Sequence, residues 1–336
     1  MYRRVSPGIP LPSWPARFGM RSLEQVRSDL GTVLAHVVPR DRFLFGPSSL
    51  GLFRPALSLP AYAGFVPEDG LSPIYNFFDR TGAPTRWRAR VTRNEQRDWR
   101  GGRLSYDEHD GTDFVCPPGT PVVAAAPGVL VASRDNWLRG GLTACVDHGG
   151  GVVTQYTHLT SLAVPVGSAV RRGDVVAYSG VSGIDLTQFF PFIPPHLHFM
   201  VWVDGIPVDP YRRAEEADGP GTWIARNEPR PSAPRPDDAD PASLEFAVDE
   251  VELARVEKAC LDRRIADEIA ACGTPEGRAA IVEDSLHHDR QAWPRELRGA
   301  RVRRPSSGDV RIALPLDPSL YVGAVAADTP WTSPRA

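Results

Sequence analysis

Between about residues 103 and 210 the chain runs as short β-branched stretches cut at close intervals by Gly, Pro and Asp, as in PVVAAAPGVLVAS, TACVDHGGGVVTQYTHL and DVVAYSGVSG. Val, Ile, Thr and Tyr suit a pleated surface, and the turn formers between them let the chain double back every few residues. This texture predicts an antiparallel unit built from hairpins. The fold expected is mainly β: a compact antiparallel β domain with an irregular N-terminal extension and an α-helical C-terminal segment.

Residues 1–100 read as an N-terminal extension rich in Pro and aromatic residues, with one amphipathic helix from about Ser22 to Val37. Residues 101–213 hold the β domain, and the Pro- and Asp-rich segment 214–242 reads as a linker. The region 243–336 reads as mostly helical. FAVDEVELARVEKACLDRRIADEIAAC suggests one helix and EGRAAIVEDSLHHD a second, separated by Gly273-Thr274-Pro275. VRIALPLDPSLYVGAVAA, residues 309–326, suggests a further strand or two.

The balance of 38 Lys+Arg against 41 Asp+Glu gives no reason to expect nucleic acid or an anionic surface as the main partner. No run of about 18 apolar residues exists, so no membrane span is expected. The prolines in MYRRVSPGIPLPSWPARFGM interrupt any apolar core of a secretory signal. None of the 4 cysteines forms a C-x-x-C pair. Cys260 and Cys272, read as lying on one helix, would be ~18 Å apart and could not bond. Cys116 and Cys145 could pair if their strands are adjacent.

Of the 8 histidines, His109, His148, His158, His196 and His198 fall inside the β segment. His196 and His198 flank Leu197 and precede the apolar run FMVWV. Side chains i and i+2 of a strand share a face, so the two imidazoles project side by side. That is unfavourable in an apolar core unless something uses them. His109 and Asp113 stand in H-D-G-T-D, which reads as a loop leading into a strand. Imidazole nitrogen and carboxylate oxygen are the ligands of catalytic zinc sites, which use three protein ligands and leave a position for water.

The segment from about 103 to 210 resembles the lysostaphin and LytM family of zinc endopeptidases, which share a duplicated hybrid motif fold. The matching pieces run in the family's order: HDGTDFVCPPGTPVVAAAPGVLV, VDHGGGVVTQYTHL, VGSAVRRGDVVAYSGVSG, HLHF and DGIPVDP. The resemblance implies Zn2+ as cofactor, held by His109, Asp113 and His198. It implies catalytic roles for His158 and His196, with the division between them open. Zinc lowers the pKa of its water to ~7, and an unligated histidine beside it can take the proton. Two departures stand out: a longer aromatic loop, Ile184 to Pro195, and Met200 where the family often has Glu.

The other histidines read as structural. His148 is expected to be a satisfied core residue. His287 and His288, adjacent on a polar helix, point ~100° apart and read as solvated. His36 reads as a helix-end partner. Phe189, Phe190 and Phe192 read equally as a substrate-contacting patch or as a loop packing its own aromatics.

The function expected is zinc-dependent hydrolysis of peptide bonds in peptidoglycan stem or cross-bridge peptides. The alternatives are a non-catalytic binding or regulatory wall protein, or a peptidase with the same site acting elsewhere, as a secreted effector or in the cytoplasm. The resemblance implies an extracellular or periplasmic location, although no signal segment is seen. The substrate would be the only partner implied.

Overall fold

The computed structural model describes residues 1–4, 12–20, 22–27, 53–76, 78, 91–93, 104–106, 109–136, 140–183, 190–210, 234–305 and 310–327. Seven strands build the frame: β1 Leu71–Asn76, β2 Thr112–Val115, β3 Gly128–Asn136, β4 Gly141–Asp147, β5 Val152–Leu162, β6 His196–Val203 and β7 Gly323–Ala326. Among the described residues the helices of eight residues or more are α1 Pro55–Tyr62, α2 Glu250–Glu257, α3 Arg263–Ala271 and α4 Pro275–His288.

The strands lie in the order β3-β4-β5-β6-β2-β1-β7, the core of an 11-stranded sheet. Ala169–Val170 extends it beyond β3, Val175–Ser179 pairs with β5, and Ile206–Val208 pairs with β6. Every pairing in this sheet is antiparallel except β7 on β1. The hairpin texture of the central segment is thus an antiparallel sheet. It reaches past residues 101–213 on both sides, because β1 comes from the N-terminal extension and β7 from near the other end.

Alternation along the strands sorts side chains onto two faces. One face carries Phe114, Leu130, Val146, Tyr156, Leu197 and Phe199, packed with Leu316 and Tyr321 from the C-terminal segment. The other carries Val131, Cys145, Val153, Met200 and Trp202, covered by Leu253 and Val256 of α2, Ile265 and Ile269 of α3, and Val282 and Leu286 of α4. Burying one such aliphatic side chain contributes about 1.5–3 kcal/mol. The C-terminal helices therefore form a layer on the sheet. Met200 is one of the apolar residues they cover.

The long helix expected through Cys260 is instead two. Asp262 accepts from the backbone N–H groups of Arg264 and Ile265 and starts α3, while α2 stops at Glu257. A side-chain acceptor at an N-cap satisfies donors that would otherwise be unpaired, which favours a new start over continuation. Cys260 and Cys272 consequently lie outside both helices. The next start uses Thr274, which accepts from Gly277 N–H, with Pro275 in the first turn. Among the described residues beyond α4 there is no further α-helix: two 3-10 turns are followed by irregular chain and a turn before β7, with a bridge between Val122 and Leu316.

Buried ion pairs lock α4 down. Asp284 meets Arg134 of β3, and Arg134 also reaches Glu268 at 2.8 Å. Arg303 stands between Asp147 of β4 (2.6 Å) and Glu283 of α4 (3.0 Å), with its side chain fully buried. Cys116 and Cys145 are free and buried, so that pairing does not occur.

Residues 23–27 are helical, and the rest of the Ser22–Val37 helix, with His36, lies outside the described residues. So do most of the linker and Phe189. Phe190 packs edge-on against Trp14, Phe18 and Tyr62, and Phe192 lies against Phe53. These two aromatics are therefore engaged by the N-terminal region.

Candidate metal centre

The site begins with register. β6 pairs with β2 so that His198 sits opposite Asp113, and Leu197 opposite Phe114. Phe114 and Leu197 go into the apolar face; Asp113 and His198 go to the other. There Asp113 Oδ1 lies 2.8 Å from His198 Nδ1. His109 comes in from the loop before β2, with Nε2 at 3.2 Å from Asp113 Oδ2. One ligand atom from each of His109, Asp113 and His198 falls within a 4.8 Å group.

Gly111 is required for that approach. A Cβ there would stand 2.7 Å from the Phe199 carbonyl oxygen and 2.8 Å from His198 Cε1. Any larger residue would push the loop carrying His109 off the strand.

His158 reaches the site by a different route. Strict alternation along β5 would send it to the same face as Tyr156, into the core. The β4–β5 register shifts between Tyr156 and Leu159, and His158 adopts φ +63. A non-glycine residue in this left-handed region is strained by about 1–2 kcal/mol, and such strain gathers at functional positions. The bulge absorbs one residue, so Tyr156 and Leu159 both enter the core while His158 turns toward His196 and His198, with ring centroids 5.0 and 6.0 Å away.

Two backbone carbonyls set the tautomers of the histidines beside the ligand group. His158 Nδ1 lies 2.8 Å from the Ser182 carbonyl oxygen, and His196 Nδ1 lies 2.7 Å from that of Pro194. A carbonyl only accepts, so each Nδ1 carries the proton and donates it. Each Nε2 is then an acceptor, and that of His196 stands 3.6 Å from Asp113 Oδ2. Burial holds His158 down at about 3, helped by the neighbouring His196 and His198. Burial also lowers His196. Both rings are neutral near pH 7. For Asp113, burial alone would favour the acid form, but His109 and His196 hold it well below the carboxylate range.

A second cluster adjoins the first, where none was expected. Asp110 Oδ2 is 2.9 Å from His287 Nε2 and 2.8 Å from His288 Nε2. Its other oxygen, Oδ1, is 3.4 Å from His198 Nε2. His288 Nδ1 lies 3.0 Å from Asp284 Oδ1. Burial disfavours the His288 cation, but Asp284 and Asp110 outweigh it and raise the ring to about 10. The reading of His287 and His288 as solvated is therefore wrong. Adjacent helical residues do diverge, yet at the end of α4 both rings converge on a carboxylate outside the helix. His148 is buried between the Pro127 carbonyl (2.8 Å) and Thr154 Oγ1 (2.8 Å), with both ring nitrogens engaged in the core.

All five histidine and aspartate residues expected at the site, His109, Asp113, His158, His196 and His198, are thus gathered on one face. Sequence reasoning missed Asp110 and the α4 pair. The only available signal was their residue type: Asp110 sits inside H-D-G-T-D, and His287-His288 closes a helix.

Residues 107–210 match the model of Peptidase family M23. Over 101 residues the chain is 37% identical to the peptidoglycan DD-endopeptidase ShyA of Vibrio cholerae, covering 30% of this chain and 22% of ShyA. Over 102 residues it is 34% identical to the DD-carboxypeptidase/endopeptidase Mpg of Neisseria meningitidis, covering 30% of this chain and 22% of Mpg. The chain therefore spans about a fifth of the length of these relatives. Among solved structures, the catalytic domain of lysostaphin from Staphylococcus simulans is 30% identical, covering 31% of this chain and 77% of that one, with a TM-score of 0.27.

Proposed function

From its Peptidase family M23 domain at residues 107–210, we propose that this chain is a zinc-dependent endopeptidase that cleaves peptide bonds in peptidoglycan stem or cross-bridge peptides. Its place of action would then be periplasmic or extracellular. Among the described residues no helix is long and apolar enough to cross a membrane. The observation that carries the reading is the convergence of two kinds of histidine around Asp113.

His109, Asp113 and His198 would hold the zinc. Two imidazole nitrogens and one carboxylate oxygen within 4.8 Å are the donor set and number of a catalytic zinc site. Bound there, zinc would supply Lewis acidity and water acidified toward neutral pH. The chain's own groups do the rest. Asp113 reaches His198 Nδ1 through one oxygen and His109 through the other, which keeps the ligand group together.

His158 and His196, neutral and with Nδ1–H tied to backbone, offer Nε2 to the proton of an attacking water. Whichever ring takes that proton becomes a donor. It can stabilise the oxygen on which charge develops, and then protonate the leaving amine. The carbonyl tethers fix each ring before substrate arrives, so little reorganisation is needed in the transition state. The aromatic group of Trp14, Phe18, Tyr62 and Phe190 leaves Trp14 and Phe190 part-exposed and available to line the substrate's path.

The test is digestion of purified peptidoglycans of several cross-bridge chemistries by zinc-loaded protein, read by mass spectrometry. Soluble muropeptides with newly cut peptides support the proposal. Intact peptides across all chemistries would overturn it.

A further inference from the structure

We propose that Asp110, His287 and His288 form a second metal site, which takes one divalent ion of the zinc class and ties the end of α4 to the loop carrying His109 and Asp113. The three residues each direct one ligand atom into a group within 4.8 Å. Asp110 Oδ2, His287 Nε2 and His288 Nε2 are 2.8–2.9 Å apart along the two nitrogen–oxygen contacts. A tetrahedral zinc with bonds of ~2.0–2.1 Å spaces its ligand atoms by roughly 3.3 Å. Small side-chain adjustments therefore convert the cluster into a coordination shell.

The surroundings suit an ion. His288 presents Nε2 to the cluster while its Nδ1 faces Asp284 Oδ1 at 3.0 Å. A carboxylate behind a histidine orients the ring and makes it a better ligand, a recurrent support of zinc-bound imidazoles. Asp284 is itself fixed, by Arg134 and by Gln155 Nε2 at 2.9 Å. On the other side, Trp202 stands edge-on to both rings, with centroids 5.4 Å from His287 and 6.2 Å from His288. The rings are thus held by groups that are already in place.

The donor set selects the ion. Two nitrogens and one oxygen suit Zn2+ and similar transition metals; Ca2+ and Mg2+ prefer oxygen. Side-chain exposures of 29%, 13% and 16% for His287, His288 and Asp110 leave a path for the ion and a fourth position for water.

The ion would cross-link segments that are 177 residues apart in sequence. Asp110 also touches His198, so the second ion would steady a ligand of the first group through Asp110 Oδ1. The competing account is a carboxylate that merely accepts two N–H bonds.

The experiment is zinc analysis of the full chain after loading with Zn2+ and dialysis against metal-free buffer. The wild type should retain about two equivalents, and His287→Ala one fewer. Asp113→Ala should keep about one, and should still gain thermal stability on Zn2+ addition. Equal zinc content in the wild type and folded His287→Ala would overturn the proposal. If His287→Ala does not fold, Asp113→Ala decides: zinc-free protein, unshifted by Zn2+, would overturn it. A wild type with one equivalent, lost in His287→Ala and kept in Asp113→Ala, would support this site while contradicting the zinc site of the proposed peptidase.

Discussion

Two histidine pairs stand on the same side of this sheet, one on a strand and one on a helix. His196 and His198 are two apart on β6, and the period of a strand alone places them together. His287 and His288 are neighbours at the end of α4, where helical geometry drives their Cβ atoms apart. Both pairs nonetheless converge, the first around Asp113 and the second on Asp110. Local geometry brings the first pair together. The second is brought together by what the tertiary fold sets opposite it. The difference separates a chemical site built into one sheet from a contact made only when the C-terminal layer docks.

That separation can be broken by substitution. The largest effect should come from His196→Ala. Removing one of the two proposed general acid–bases should lower kcat by about 10²–10⁴-fold, with urea stability nearly unchanged. Arg303→Met should do the reverse. It strands Asp147 and Glu283 in the interior, and loss of one partner of a buried ion pair destabilises by about 3–5 kcal/mol. Chemical denaturation measures that loss. If Arg303→Met unfolds no more easily than the wild type, α4 is not locked as described.

A third test uses acid. Burial holds His148 down to about 4 from an ordinary value of 6.5. Above 6.5 neither folded nor unfolded chain holds the proton, and this contribution to stability is fully present. As pH falls from 6.5 toward 4, only the unfolded chain takes it up, so stability falls by up to about 1.4 kcal/mol per pH unit and about 3 kcal/mol in all. His158 titrates in the same direction. The variant His148→Gln should therefore flatten the stability–pH curve by about one proton in that window, not abolish its slope. The smallest effect should be that of Phe190→Ala, about 1 kcal/mol for its edge-to-face contacts, read as a shift in the denaturation midpoint.

What could be read in the sequence follows the same division. The β texture, the H-L-H pair and the H-D-G-T-D loop are local, and the sheet is antiparallel as their spacing implied. The residues of the site are all gathered, yet the reason His158 joins them was not visible. Its place depends on a bulge at Tyr156–Leu159 and a left-handed backbone, which shift the period by one residue. The partners of β1 were equally hidden, because β7 lies some 250 residues further along the chain. The single long helix failed at Asp262, where a side-chain cap outweighed the continuing apolar period. His287 and His288 were misread because helical periodicity gives direction and says nothing about the acceptor facing the helix end.

The most direct measurement is zinc content and turnover on peptidoglycan peptides, taken together for five single Ala variants at His109, Asp113, His198, His158 and His196. The first three should lose one zinc equivalent along with activity. His158→Ala and His196→Ala should keep the wild-type zinc content and lose kcat. Full activity in either of those two, or full zinc content in folded variants of the first three, would contradict the division of the site into metal-holding and proton-handling residues.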